Sequence, residues 1–243
     1  MSALPGTTGR RRIYLLRHGH VDYFGAAARD LENINDVPLT ELGQEQAAAA
    51  GQALAHINFD RALCSGLPRT EQTAQLILRQ QQNTPPKLEA RHNLAEIGTG
   101  RLIALKSREQ LAALITFHFD NAASPGARLM ENGELFVQAY ERAIGEIETL
   151  LDEPDWHTMF IVAHEGINRL ILGWATGNGL NAVQAFEQDL ACINILDFDL
   201  VPRADHGPGI DIARKIIKAV NLTPYNLTKH GMNLTSFEAL FAD

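Results

Sequence analysis

The chain is poor in the features that would send it out of the cell or into a membrane. It has two cysteines, Cys64 and Cys192, too few for a disulfide framework. Both fall in apolar, strand-like runs, so buried free thiols are expected. No apolar run approaches the roughly 18 residues of a membrane-spanning helix. Residues 1–12 carry charges but no apolar h-region, which argues against a secretory signal. An excess of positive charge is also missing: 21 Lys and Arg stand against 29 Asp and Glu, for a net charge of −8. That balance argues against non-specific nucleic-acid binding and against an anionic membrane surface. It leaves room for a local basic pocket that takes an anionic substrate. Structural repeats, low-complexity tracts and long linkers are absent too. The expected location is the cytoplasm, with no membrane or nucleic-acid partner.

What is present is ordinary for a globular protein: 243 residues, 45% apolar and 21% charged, enough for one large domain with a real core. Apolar runs alternate with helix-like stretches, which predicts an α/β fold. Strands are expected at 13–17, 61–64, 87–91, 158–163 and 192–198, and 212–220 fits either strand or helix. Helices are expected at 41–55, 68–82, 108–119, 131–151, 167–175 and 236–241. Thr40 can cap the first helix, and Pro68 suits a first helical turn. Ser107 with Gln110, and Thr235 with Glu238, have capping-box spacing. Residues 1–12, including Arg10-Arg11-Arg12, read as a solvated, disordered arm, with a single domain over 13–243. Residues 25–38 read as a loop over the site, and 202–208 as a turn. Asn-Leu-Thr triplets begin at Asn221, Asn226 and Asn233; turn formation explains them better than glycosylation does.

The chemistry concentrates where apolar runs end. Leu15-Leu16-Arg17-His18-Gly19 closes the first strand with a cation, an imidazole and a glycine. A fixed guanidinium beside a ring nitrogen, with a glycine allowing close backbone approach, suits a phosphate monoester. A second strand ends in Ala163-His164-Glu165-Gly166. Two histidines delivered at strand carboxyl ends suggest one site, because open α/β sheets bind ligands at that edge. Arg69 falls in the first turn of a helix after Cys64-Ser65-Gly66-Leu67-Pro68, where guanidinium and helix N–H groups suit phosphate. Glu96 is a lone carboxylate between Leu94 and Ile97. Partial burial there would raise its pKa and fit it for general acid work.

These segments together resemble the histidine phosphatase superfamily, in the branch that includes cofactor-dependent phosphoglycerate mutases. Leu15 to Gly19 is similar to the family's Leu-Arg-His-Gly signature. Asp36-Val37-Pro38-Leu39-Thr40-Glu41-Leu42-Gly43 is similar to the segment that follows it. Residues 65–74 resemble the stretch holding the second arginine, Arg69. Glu96 matches the acid/base position, and 163–166 the second histidine motif. The match runs in order from about Ile13 to Gly173. The resemblance implies a phosphoglycerate-mutase-like fold, with a mostly parallel central sheet and helices on both faces. It implies a nucleophile at His18, an acid/base at Glu96 and a catalytic His164. Arg17, Arg69 and the Glu165 backbone N–H would bind phosphate. Arginines and imidazole supply the positive charge, so no metal and no other cofactor is expected. His20, Phe24 and Arg101 are expected at the substrate rim.

The chain departs from the family pattern in three places. After Arg-His-Gly the family often has Glu or Gln, then Thr, with an Asn three residues later; here stand His20, Val21 and Phe24. Asn33 or Asn35 would have to replace that Asn. Glu165 occupies the place of the usual glycine, so its carboxylate must point away or bind a cation. The Trp-Glu-Gly after the acid is replaced by Thr99-Gly100-Arg101-Leu102.

Rival readings fail on spacing. His18-Gly19-His20 begins like a metal-hydrolase motif, but the strand count falls short of a barrel. Cys64-x4-Arg69 is one residue short of a cysteine phosphatase loop. His164-Glu165 begins like a zincin helix, yet Asn168 stands where the second histidine must be. Within the family, the mutases' extended motif after the acid is missing, which favours hydrolysis of a small phosphorylated metabolite over mutase-type transfer. A non-catalytic phospho-ligand module on the same fold is the alternative from another class.

Overall fold

The computed structural model describes residues 7–23, 34–99, 118–130, 132–203 and 209–231. Four strands run parallel: β1 (Gly9–Arg17), β2 (Arg61–Cys64), β3 (Leu88–Ala90) and β4 (Thr158–Ala163). Two more, β5 (Ile193–Pro202) and β6 (Ile210–Leu222), join antiparallel beyond β1. The sheet order is β3-β2-β4-β1-β5-β6. Helices α1 (Glu41–Leu54), α2 (Pro68–Arg79), α3 (Phe136–Asp152) and α4 (Glu165–Thr176) complete the main elements.

Both sheet faces are covered, which explains the unbroken apolar runs of the central strands. Along β1, Ile13 and Leu15 join a cluster with Ile147 of α3 and Leu170 of α4. Tyr14 and Leu16, pointing the other way, join Leu54 of α1 and Ile77 of α2. In β4, Ile161 and Val162 divide between the faces in the same way. The central helix α4 is buried continuously from Gly166 to Ala175. It stops at Gly177, whose φ of 84° is a left-handed C-cap. No helix among the described residues is long and apolar enough to cross a membrane.

The predicted α/β architecture is present, with differences at element ends. Residues 9–12 of the expected arm are instead part of β1, which begins at Gly9, and residues 1–6 lie outside the described residues. Strand β5 sets buried Asp199 and Asp197 opposite Arg10 and Arg12. Arg10 Nε lies 2.8 Å from Asp199 Oδ1, and Arg12 Nε 2.6 Å from Asp197 Oδ1. Arg11 lies over the Trp156 ring, 4.7 Å from its centroid. The arginine triplet is therefore packed rather than solvated. The ambiguous stretch at 212–220 is strand β6. Helix α3 starts at Phe136 instead of 131, because Asn132 takes a φ of 64° and Glu134 turns back to donate its N–H to Gly98 O. The expected helix at 108–119 lies outside the described residues except for its last two. The helix at 236–241, the Ser107 and Thr235 caps, and the turn over 204–208 also lie outside them.

Candidate active site

Strand register builds the site. Arg17 of β1 lies beside Ala163 of β4, and Cys64 of β2 beside Val162. Three parallel strands thus end nearly level, and His18, His164 and Ser65 follow them side by side. The His18 and His164 ring centroids are 5.2 Å apart. Behind His18 the chain must pass very close to α1. A Cβ on Gly19 would come within 2.3 Å of Gly43 O, and one on Gly43 within 2.2 Å of His20 O. Only paired glycines allow that approach. Thr40 caps α1, accepting from Gly43 N at 3.1 Å, as its position predicts.

His18 is buried, with Nδ1 2.7 Å from Gly19 O. A carbonyl only accepts, so Nδ1 carries the proton and Nε2 keeps a free lone pair. Burial, and then the charges of Arg69 and Arg17, push the imidazole well below its usual range and keep it neutral. His164 is also buried, and its Nε2 lies 2.7 Å from Ser65 Oγ. Ser65 Oγ is 3.0 Å from Thr70 Oγ1, which donates to Leu67 O at 2.7 Å. Each hydroxyl has one proton, so the chain runs from His164 Nε2–H to Ser65, to Thr70, to Leu67. Burial and the neighbouring Arg69 and His18 also hold His164 well below the usual imidazole range.

Two buried guanidiniums flank these rings. Arg17 donates through Nη1 to Gln188 O and lies 3.1 Å from Glu165 Oε2. Arg69, in the first turn of α2, donates through Nη1 to Asn35 O at 2.9 Å. Three buried side-chain nitrogens lack a hydrogen-bond partner among the described residues: Arg17 Nε, Arg69 Nε and His164 Nδ1. All three belong to residues that the sequence placed in the site, Arg17 and Arg69 as phosphate ligands and His164 as a catalytic group.

Glu96 accepts from Ile97 N at 2.9 Å and from Gly166 N at 3.2 Å. A Cβ on Gly166 would lie 2.6 Å from Glu96 Oε1, so the glycine makes room for the carboxylate. Burial raises the Glu96 pKa above the usual carboxylate value, overriding the two N–H groups. Glu165 stands at the first position of α4, with its carboxylate between two arginines. His20 is half-buried, and its Nδ1 is 2.8 Å from Thr40 Oγ1, next to the site. Phe24, Arg101 and Asn33 lie outside the described residues. Asn35 is exposed, and its backbone carbonyl holds Arg69.

Sequence reasoning missed the residues that hold the site in place. Arg142 of α3 donates to Ala95 O at 2.8 Å and to Glu96 O at 3.2 Å. It also forks onto Glu134, at 2.7 and 2.8 Å. Glu134 in turn accepts from Gly98 N at 3.0 Å. The loop carrying Glu96 is thereby fastened to a helix far along the chain, and nothing local marks either residue. Tyr23 lies within the fields of Arg69, Arg17, Glu96 and Glu165; burial raises its pKa. The Ser65 and Thr70 pair was findable, since a hydroxyl just past a strand and another in the first helical turn suit such a chain.

The model of the histidine phosphatase superfamily (branch 1) matches residues 13–201. The chain belongs to this superfamily. Among its curated relatives, the adenosylcobalamin/alpha-ribazole phosphatase of Salmonella typhimurium is 30% identical over 197 residues, covering 76% of this chain and 90% of that one. A probable phosphoglycerate mutase of Cronobacter sakazakii is 28% identical over 166 residues, covering 63% and 69%. The solved structure of a mycobacterial glucosyl-3-phosphoglycerate phosphatase superposes with a TM-score of 0.63 at 23% identity, covering 87% of this chain and 99% of that one. This histidine phosphatase superfamily enzyme thus shares its fold with phosphoglycerate-mutase-like phosphatases.

Proposed function

We propose that the protein is a metal-independent phosphomonoesterase that works through a phosphohistidine at His18. The observation that carries this reading is the set of unpaired buried nitrogens on Arg17, Arg69 and His164, beside an imidazole whose Nε2 is free. Leaving a buried polar group without a partner costs about 1–3 kcal/mol. A tetrahedral dianion offers oxygens to all three groups. Its two negative charges also reverse the field that keeps His164 neutral, so His164 takes up a proton at Nδ1 and donates it to an oxygen.

His18 Nε2 attacks phosphorus in line. The bond from phosphorus to the alcohol oxygen breaks as the Glu96 carboxyl gives that oxygen its proton. Arg17, Arg69 and His164 stabilise the equatorial oxygens through the transition state. In the second step Glu96, now ionised, takes a proton from water. The water oxygen bonds to phosphorus, and the phosphorus–nitrogen bond breaks. Hydrolysis is preferred over return of the phosphoryl group to a bound alcohol, because Ile97-Gly98-Thr99 lacks the arginine and tyrosine of the mutase motif. The substrate class is a small phosphorylated sugar, acid or nucleotide-like alcohol, in keeping with relatives named for alpha-ribazole and glucosyl-3-phosphoglycerate.

The test is release of phosphate from p-nitrophenyl phosphate with a chelator present. Wild-type protein should turn over under those conditions, and His18→Ala should lose about a thousandfold or more in kcat. Quenching in base should trap label from a phosphorylated substrate on the wild type alone. Wild-type rates in His18→Ala would remove the nucleophile assignment. Interconversion of phosphoglycerates without phosphate release would favour a mutase.

A further inference from the structure

We infer that Glu165 sets how weakly the site holds phosphate, by sharing the charge of Arg17 and so speeding departure of the anionic product. The inference rests on the phosphatase reading and adds a residue whose charge opposes ligand binding. Glu165 Oε2 lies 3.1 Å from Arg17 Nη1. Its other oxygen lies 2.8 Å from Arg169 Nη2 and 3.2 Å from Arg169 Nε, one helical turn along α4. Arg169 is itself fixed: it is buried, lies over the Phe119 ring at 4.5 Å and donates to Val183 O. The carboxylate is therefore held where it is. Burial opposes its ionisation, but Arg17 and Arg169 together outweigh that and hold its pKa below the usual carboxylate range.

Position decides what this charge does. Arg17 Nη1 is committed to Gln188 O and Glu165, while its Nε is unpaired. Glu165 thus lowers the positive charge of Arg17 without occupying the free donor. A phosphate at that donor feels two arginines, one histidine and a nearby anion. Beside side chains as buried as Arg17, His18 and Arg69, a neighbouring charge acts more strongly than in water. The repulsion applies to bound substrate, transition state and product alike, so removing it tightens binding without raising kcat. A glycine at this position carries no such charge.

The experiment measures orthophosphate binding by calorimetry, and KM and kcat with p-nitrophenyl phosphate, for wild type, Glu165→Gln and Arg169→Met. Glutamine keeps an oxygen toward the arginines while removing the charge. Orthophosphate affinity and KM should both tighten about tenfold in Glu165→Gln, with kcat unchanged or lower. In Arg169→Met the carboxylate falls wholly on Arg17, and orthophosphate should bind several-fold more weakly. A merely structural role would weaken binding in both variants, so opposite signs support the inference. Equal or weaker affinity in a folded Glu165→Gln overturns it. Should that variant fail to fold, unchanged or tighter binding in Arg169→Met overturns it instead. Wild-type protein that neither hydrolyses p-nitrophenyl phosphate nor binds orthophosphate would remove the phosphatase reading itself, and this inference with it.

Discussion

Strand β1 carries arginines at both ends, and the protein treats them differently. At its amino end, Arg10 and Arg12 face buried carboxylates directly across β5. At its carboxyl end, Arg17 is more deeply buried, yet its Nε has no partner, as is true of Arg69 Nε nearby. Guanidiniums satisfied by carboxylates hold the sheet together. Guanidiniums buried with a donor left over favour an oxyanion. The difference lies in the neighbours that the sheet register supplies, since the residue type is the same.

The largest effect comes from breaking the carboxyl end. Arg69→Met should lower kcat/KM for p-nitrophenyl phosphate by about a thousandfold, since it removes charge stabilisation from the transferring phosphoryl group. It should leave the melting temperature unchanged or raised, because one of two neighbouring buried cations is gone. Steady-state kinetics beside calorimetry checks both halves. Full activity in Arg69→Met would dissolve the contrast between the two ends.

The next effect concerns protonation. His18 reacts as the neutral imidazole, so activity falls as pH drops through its pKa, which burial, Arg69 and Arg17 place below the usual 6.5. Glu96 reacts first as the acid, so activity falls as pH rises through its pKa, which burial lifts above 4.5. kcat/KM should therefore be bell-shaped, with His18 setting the acid limb and Glu96 contributing to the alkaline one. Glu96→Gln should make the alkaline fall shallower, leaving the part due to the proton that His164 takes up with the dianion, and keep the acid limb. It should cost roughly a hundredfold or more on an alkyl phosphate, and less on p-nitrophenyl phosphate, whose leaving group needs little help. The second ionisation of the substrate, near pH about 6, adds a limb common to both proteins.

How much of this was legible depends on how local each signal is. The strand ends carrying Arg17, His18 and His164 could be read because an apolar run buried on both faces, followed by polar residues, is a local pattern. The Thr40 cap and the Pro68 start were legible for the same reason. The amino end of β1 was not, because Arg10 and Arg12 look solvated until Asp199 and Asp197, some 190 residues away, are set opposite. The start of α3 was misplaced because a left-handed Asn132 and the Glu134 link to Gly98 break the helical pattern. The Arg142 clasp was out of reach, since its partners are carbonyls of another segment and sequence does not mark which carbonyls are free.

That clasp gives a smaller, sharper comparison. Arg142 is a satisfied arginine like Arg12, but its carbonyl partners belong to the Glu96 loop. Arg142→Met should reduce kcat on an alkyl phosphate about tenfold and on p-nitrophenyl phosphate much less, because it loosens the acid rather than the phosphate grip. Arg142→Lys should recover little, since one ammonium cannot replace the fork onto Glu134 while reaching two carbonyls. Equal losses on both substrates would mean general damage to the fold.

The smallest catalytic effect belongs to the amino end of β1. Arg12→Met leaves Asp197, which is fully buried, without its forked partner; Arg10 Nη1 at 3.7 Å is too far to replace it. Stability should fall by about 1–3 kcal/mol, the cost of orphaning one side of a charged hydrogen bond. For a chain of this size that is a drop of a few degrees in melting temperature. kcat and KM should stay at wild-type values, because β4 still fixes the far end of β1 through six paired positions from Arg12 to Arg17. The double variant Arg12→Met with Asp197→Asn should regain part of the loss, since a neutral amide tolerates the missing cation better than a buried carboxylate does. If Arg12→Met instead lowered kcat while the melting temperature held, the two ends of the strand would be coupled, and the division between structural and ligand-directed arginines would have to be redrawn.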